Sequence, residues 1–101
     1  MESTTTMKKS ERKHKTKVTF ELPPDVGAEQ VVVVGDFNDW SLVADPLKRR
    51  KDGSFRTELS LPKGRRWRFR YLVDGWRWEN DWAADDYEPN VHGSDDSVVI
   101  T

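Results

Sequence analysis

Two segments about forty residues apart each run from a strand-like stretch into tryptophan: VVVVGDFNDW over 31–40 and FRYLVDGWRW over 69–78. A polar turn that ends in tryptophan delivers a flat indole to a place where a folding core does not ask for one. Such a ring packs on the C–H face of a pyranose, whose hydroxyl rim needs planar donors and acceptors such as Asn, Asp and Arg. Trp40 closes the first segment, and Trp76 and Trp78 lie at the end of the second, with Arg70 on the strand that leads there. Strand alternation sends Arg70 to the face opposite Phe69 and Tyr71, so its guanidinium points outward and can sit between two rings. Either Trp76 or Trp78 can be the second exposed ring, its neighbour packing on an edge of the fold. The chemistry implied is a shallow platform for two or three sugar units.

The elements that must hold these rings read as strands. Val18, Phe20 and Leu22 alternate with Thr19 and Glu21 before Pro23 and Pro24 stop the run. Residues 30–34 form a β-branched stretch suited to a strand buried on both faces, ended by Gly35, and a short strand is expected over 46–49. Asp52-Gly53 is a hairpin signal, after which Phe55, Thr57, Leu59 and Leu61 share one face. Pro62, Lys63 and Gly64 turn the chain into a strand with Trp67, Phe69, Tyr71 and Val73 on one side and Arg66, Arg68, Arg70 and Leu72 on the other. Asp74-Gly75 turns again, with short strands at 76–78 and 97–101, while 79–90 reads as a long loop pinned by Trp82, Tyr87 and Pro89. No window carries an apolar stripe at helical spacing. The fold class is therefore all-β, an antiparallel sandwich of immunoglobulin-like type, with a core on Val31, Val33, Phe55, Leu59, Trp67, Phe69, Tyr71 and Val73.

Composition narrows the function. The 101 residues give room for one domain, and five Trp argue against disorder of the whole chain despite 35% charged residues. Absence of cysteine removes disulfides, thiolate nucleophiles and Cys-based metal sites, and points to a reducing, cytoplasmic setting. No apolar run is long enough for a membrane helix. Residues 1–17 hold six Lys/Arg and two Glu, so 1–16 reads as a flexible basic arm ahead of a domain over 17–101. The arm lacks the aromatic interleaving of a base-stacking surface, so nucleic acid is not the expected partner. The acidic stretch 74–96 lacks the glycine and terminal Glu of an EF-hand, and its carboxylates read as turn and cap formers; no metal or other cofactor is expected. No carboxylate pair, Ser/His/Asp arrangement or P-loop marks an enzyme.

The pieces VVGDFNDW, PL, DGSF, LPKG, FRYLVDG and HGSDDSVV follow one another over 31–100. In order and spacing they resemble the early-set glycan-binding domains of isoamylases, branching enzymes and the β subunit of AMP-activated kinase, carbohydrate-binding module family 48. A basic arm with one such module is similar to small free-standing bacterial proteins of this kind. The resemblance implies non-catalytic binding of an α-1,4-linked glucan, glycogen or a maltooligosaccharide. By it, Trp40 is one sugar ring platform, Trp76 or Trp78 the second on either side of the usual position at Arg77, and Arg70 the basic contact. Ser94 and Asp96 match the polar residues of the family's late loop. His92 stands where the family has an apolar residue, and Asp96 where it has an amide. These departures motivate an alternative: a module of the same fold that no longer binds sugar and contacts a protein partner through its Arg face or a sheet edge.

Overall fold

The computed structural model describes residues 7–101. Its strands, in chain order, are β1 (Lys9–Glu11), β2 (Lys15–Leu22), β3 (Val31–Gly35), β4 (Lys48–Arg49), β5 (Phe55–Pro62), β6 (Arg66–Val73), β7 (Arg77–Glu79), β8 (Asp86–Pro89) and β9 (Asp95–Ile100). One sheet has the order β1-β2-β5-β4 and the other β3-β6-β9-β8, with β7 added alongside β6. All these pairings are antiparallel. The fold is the all-β sandwich that the period-two pattern implies.

Alternation fixes which side of each strand is buried. On β2, Thr16, Val18, Phe20 and Leu22 turn inward, and on β6, Trp67, Phe69, Tyr71 and Val73 meet them from the other sheet. Aromatic edges interlock at the centre: Phe69 lies 5.1 Å from Phe20 and 5.7 Å from Tyr71, both T-shaped. Leu59 is only half-buried and packs at the margin of this cluster. The expected strand over 46–49 serves both sheets. Val33 N–H donates to Asp45 O and Leu47 N–H to Val31 O, so the chain first runs beside β3; from the next residue, Lys48, it pairs with β5 as β4.

Three segments differ from the sequence expectation. The arm expected over 1–16 is in part a strand: β1 pairs with β2, and Met7 is buried in the core. Lys9 secures that edge, its Nζ donating to Asp85 Oδ2 at 2.6 Å and to Ile100 O at 3.1 Å across the seam between the sheets. Its residues Lys9, Ser10 and Glu11 are all polar and exposed, so no period-two apolar pattern marks this strand in the sequence. The long loop over 79–90 likewise contains β8, whose Asp86 and Glu88 pair with Arg66. The short strand expected at 76–78 lies at Arg77–Glu79, leaving Trp76 in the turn.

Candidate functional site

Arg68, Arg70 and Leu72 occupy the outer side of β6, and β7 sets Trp78 directly opposite Leu72 on that side. The β6–β7 turn depends on left-handed backbone at Asp74 (φ 54°) and Gly75 (φ 77°). Asp74 is held there by accepting from the backbone N–H of Glu29 at 2.8 Å and of Gln30 at 2.9 Å; these bonds keep its carboxyl below the usual range. The Arg70 guanidinium carbon lies 5.7 Å from the Trp78 ring centroid, a cation–π distance. Its Nε is buried and has no acceptor among the described residues, an unmet demand at the floor of the site.

The second ring arrives from β3. Gly35 crosses β6 so closely that a Cβ there would stand 2.5 Å from Arg68 O, which leaves room for glycine alone. A 3₁₀ turn follows at Asp36–Asn38. Asn38 holds it from three sides: Oδ1 accepts from Gly35 N–H, and Nδ2 donates to Val33 O and to Asp45 Oδ2. Asp39 and Trp40 then both take positive φ, 55° and 57°. Trp40 Nε1–H donates to Asp36 Oδ1 at 3.0 Å, and Asp36 Oδ2 accepts from Arg68 N–H at 2.8 Å. One carboxylate thus ties the indole to the backbone of β6.

The loop between β8 and β9 forms the far wall. Asn90 Oδ1 accepts from His92 N–H and Ser94 N–H, closing the turn, while Asn90 Nδ2 donates to Asp96 Oδ1 at 3.1 Å. Asp96 Oδ2 accepts from Arg68 Nε at 3.1 Å, so both oxygens of this nearly buried carboxylate have protein donors. Val91 projects from the loop and is 94% exposed. Arg66 and Arg68, which sequence left as solvated charges, are matched by Asp86, Glu88 and Asp96. Hydrogen bonding from Arg66 keeps the Asp86 carboxyl below its ordinary value.

These three sources enclose an open groove of about 880 Å³, in the size range of small-ligand sites. Of the residues named from sequence, Trp40, Arg70, Trp78 and Asp96 line it. Trp76, 74% exposed, and Ser94, also exposed, do not. Asp36, Arg68, Pro89, Asn90, Val91 and His92 complete the lining. Asp36 could have been suspected from its place in the GDFN segment; Asn90 had no signal, because its role is set by a turn that only the fold brings beside Asp96. Trp82 is exposed and lies outside the groove, its loop held instead by Tyr87 O–H donating to Asp81 O at 2.5 Å.

Among the described residues, no group of three or more His, Cys, Asp or Glu is placed to hold a metal, and no helix is long and apolar enough to cross a membrane. No curated protein matches the chain. Residues 16–99, most of the chain and all but the start of its sandwich, match the family model for the glycogen recognition site of AMP-activated protein kinase. That span contains both tryptophan-bearing segments and the late loop, and so the chain belongs to this glycogen-recognition domain family, carbohydrate-binding module family 48.

Proposed function

We propose that the protein binds α-1,4-linked glucan, such as glycogen or a maltooligosaccharide, in the groove between Trp40 and Trp78, without catalysing a reaction on it. The observation that carries this reading is the convergence, from segments far apart in sequence, of two half-exposed indoles and an arginine whose Nε has no acceptor among the described residues. Indole faces take the C–H faces of successive glucose units, and Arg70, through that Nε, takes a hydroxyl. A contact this small gives weak binding, ~10 µM to 1 mM. The lack of cysteine supports a reducing compartment such as the cytoplasm.

Asp96 makes a narrower contribution than the family resemblance implies. With both oxygens taken by Arg68 and Asn90, it braces the loop and leaves sugar contact on that side to His92 and Val91. The same observation favours, as a second reading, a module that contacts a protein through this face. Titration with maltoheptaose, followed by amide and indole NMR shifts with cellohexaose as control, separates the two. Saturable shifts at Trp40, Arg70 and Trp78 that vanish in Trp40→Ala, with thermal unfolding little changed, support the glucan site. No shift at millimolar maltoheptaose overturns it in favour of the protein-contact reading.

A further inference from the structure

Strand β5 is paired along its whole length on one side only. Every residue from Phe55 to Pro62 has a partner on β2, whereas β4 reaches no further along β5 than Arg56. The crossing of residues 45–49 causes this: Leu47 is buried and its N–H donates to Val31 O, so the chain before Lys48 belongs to β3 and cannot continue beside β5. Alternation decides which backbone groups are left open. Thr19 N–H donates to Lys8 O, so the odd-numbered residues of β2 face β1 and the even-numbered ones face β5, where register sets them against odd-numbered residues of β5. Arg50 N–H donates to Ser54 O, which likewise puts the even-numbered residues of β5 on the β4 side. Arg56 is met there by Lys48. The N–H and C=O of Glu58 and Ser60 point the same way and have no partner among the described residues.

The open stretch adjoins positive charge. Where β4 stops, Pro46, Lys48, Arg50, Arg56, Thr57 and Glu58 border a shallow depression of about 600 Å³. On the outer side of the sheet, register sets Lys17 beside Ser60 and Glu21 beside Arg56. Glu58 is bridged by both Arg56 and Lys17, whereas Lys48 and Arg50 make no ion pair with a described residue, so the excess charge at the end of β4 is positive. Inward, Leu59 is half-buried at the margin of the core. Among the described residues, no exposed large apolar side chain lies on this sheet, so it has no ring to stack on a base. A polyanion without a peptide backbone would satisfy the cations and leave Glu58 and Ser60 as they are.

We infer that the β5 edge beyond Arg56 takes an extended acidic segment of a partner protein as an added strand, in line with β4. Its backbone pairs with Glu58 and Ser60, its carboxylates meet Lys48 and Arg50 where β4 ends, and an apolar side chain between them packs against Leu59. Backbone bonds supply the attachment, and charge selects which strands are admitted. A basic strand is repelled, which also guards the edge against indiscriminate pairing. The groove of Trp40 and Trp78 lies on the other sheet, so this contact stands apart from glucan binding.

Titration of the full chain with a blocked peptide of alternating glutamate and valine, followed by amide NMR, tests this, with a peptide of alternating lysine and valine as control. The expected result is saturable shifts and slowed hydrogen exchange at the Glu58 and Ser60 N–H, weaker binding at about 500 mM salt, and no response to the lysine peptide. A Lys48→Glu, Arg50→Glu variant is expected to lose these shifts. The milder Lys48→Gln, Arg50→Gln variant is expected to bind several-fold more weakly and keeps the test decisive if the reversal fails to fold. Ser60→Pro removes one edge donor without touching the β2 ladder and is expected to weaken binding similarly. No shift at millimolar peptide overturns the inference, as do shifts that spare Glu58 and Ser60 or that the lysine peptide reproduces. Shifts of these amides on raising protein concentration alone, with a dimer in sedimentation, overturn it and assign the edge to a second copy. Retention on duplex DNA with no response to the acidic peptide also overturns it and assigns the cations to a polyanion.

Discussion

Trp40 owes its placement to the side chain of Asp36 and to the backbone of β6. The indole would swing freely at the end of a turn were its Nε1 not held by Asp36, which is itself anchored on the Arg68 amide. Asp36→Asn leaves one acceptor where two donors converge. It is expected to weaken maltoheptaose binding several-fold while costing about 0.5–1.5 kcal/mol of stability, the worth of one hydrogen bond. The Trp40 indole N–H shift reports the lost contact, and an unmoved resonance would count against this role. Gly35 acts through space alone, since its φ of −168° is open to any residue. Gly35→Ala drives a methyl into Arg68 O and Phe69 Cβ and is expected to lower stability by about 1–3 kcal/mol, read as the urea midpoint.

Strand pairing explains why the charged segments of the chain are ordered. β1 is short and polar, but it carries Met7 into the core and sends Lys9 across the seam to Asp85, whose Oδ2 also accepts from Ile100 N–H. Deletion of residues 1–11 removes both and is expected to lower the thermal midpoint by several degrees, since burying a Met is worth about 1.5–3 kcal/mol. An unchanged midpoint would show the segment to be dispensable. On the opposite layer, β8 sends Asp86 and Glu88 to the Arg row of β6, which is why Arg66 and Arg68 are struts for the groove wall, while Arg70 has no carboxylate partner among the described residues. An arginine row read by alternation alone looks like one surface; pairing divides it into two braced members and one that faces the groove.

Across the whole molecule, one buried polar network crosses from core to loop. Tyr71 O–H donates to Asp81 Oδ2 at 2.6 Å, Ala83 N–H to Asp81 Oδ1, and Asp81 N–H to Ser97 Oγ. Burial pushes the Asp81 carboxyl above its ordinary value and the Tyr71 phenol well above its own. A carboxyl with a raised folded pKa binds its proton more readily in the native state, so stability falls as pH rises from the ordinary carboxylate value through the raised one. Asp52, Asp74 and Asp86 run the other way: hydrogen bonds lower them, and their contribution is present above the ordinary value and lost as pH falls through the lowered ones. Asp81→Asn is expected to gain stability relative to wild type as pH rises across its window, measured as urea midpoints over pH; parallel curves would contradict the buried charge.

The order of polar and apolar residues determined the sheets, because a strand that buries one face must alternate; Val18 to Leu22 does so throughout, and Trp67 to Val73 does so but for Leu72 on the outer side. The motif GDFNDW and the turn Asp74-Gly75 likewise placed Trp40 and the pair Trp76 and Trp78 beyond the core, since turns place their residues locally. Sequence could not separate Trp76 from Trp78: that depended on β7 beginning at Arg77, which puts Trp78 across from Leu72 and leaves Trp76 in the turn. Nor could it find Asn90 or the brace on Asp96, which join residues brought together by β8 and β9. Local propensity is written in neighbouring residues, but hydrogen bonds and ion pairs between distant strands depend on register, and register is decided only when both faces of the sandwich close on one core.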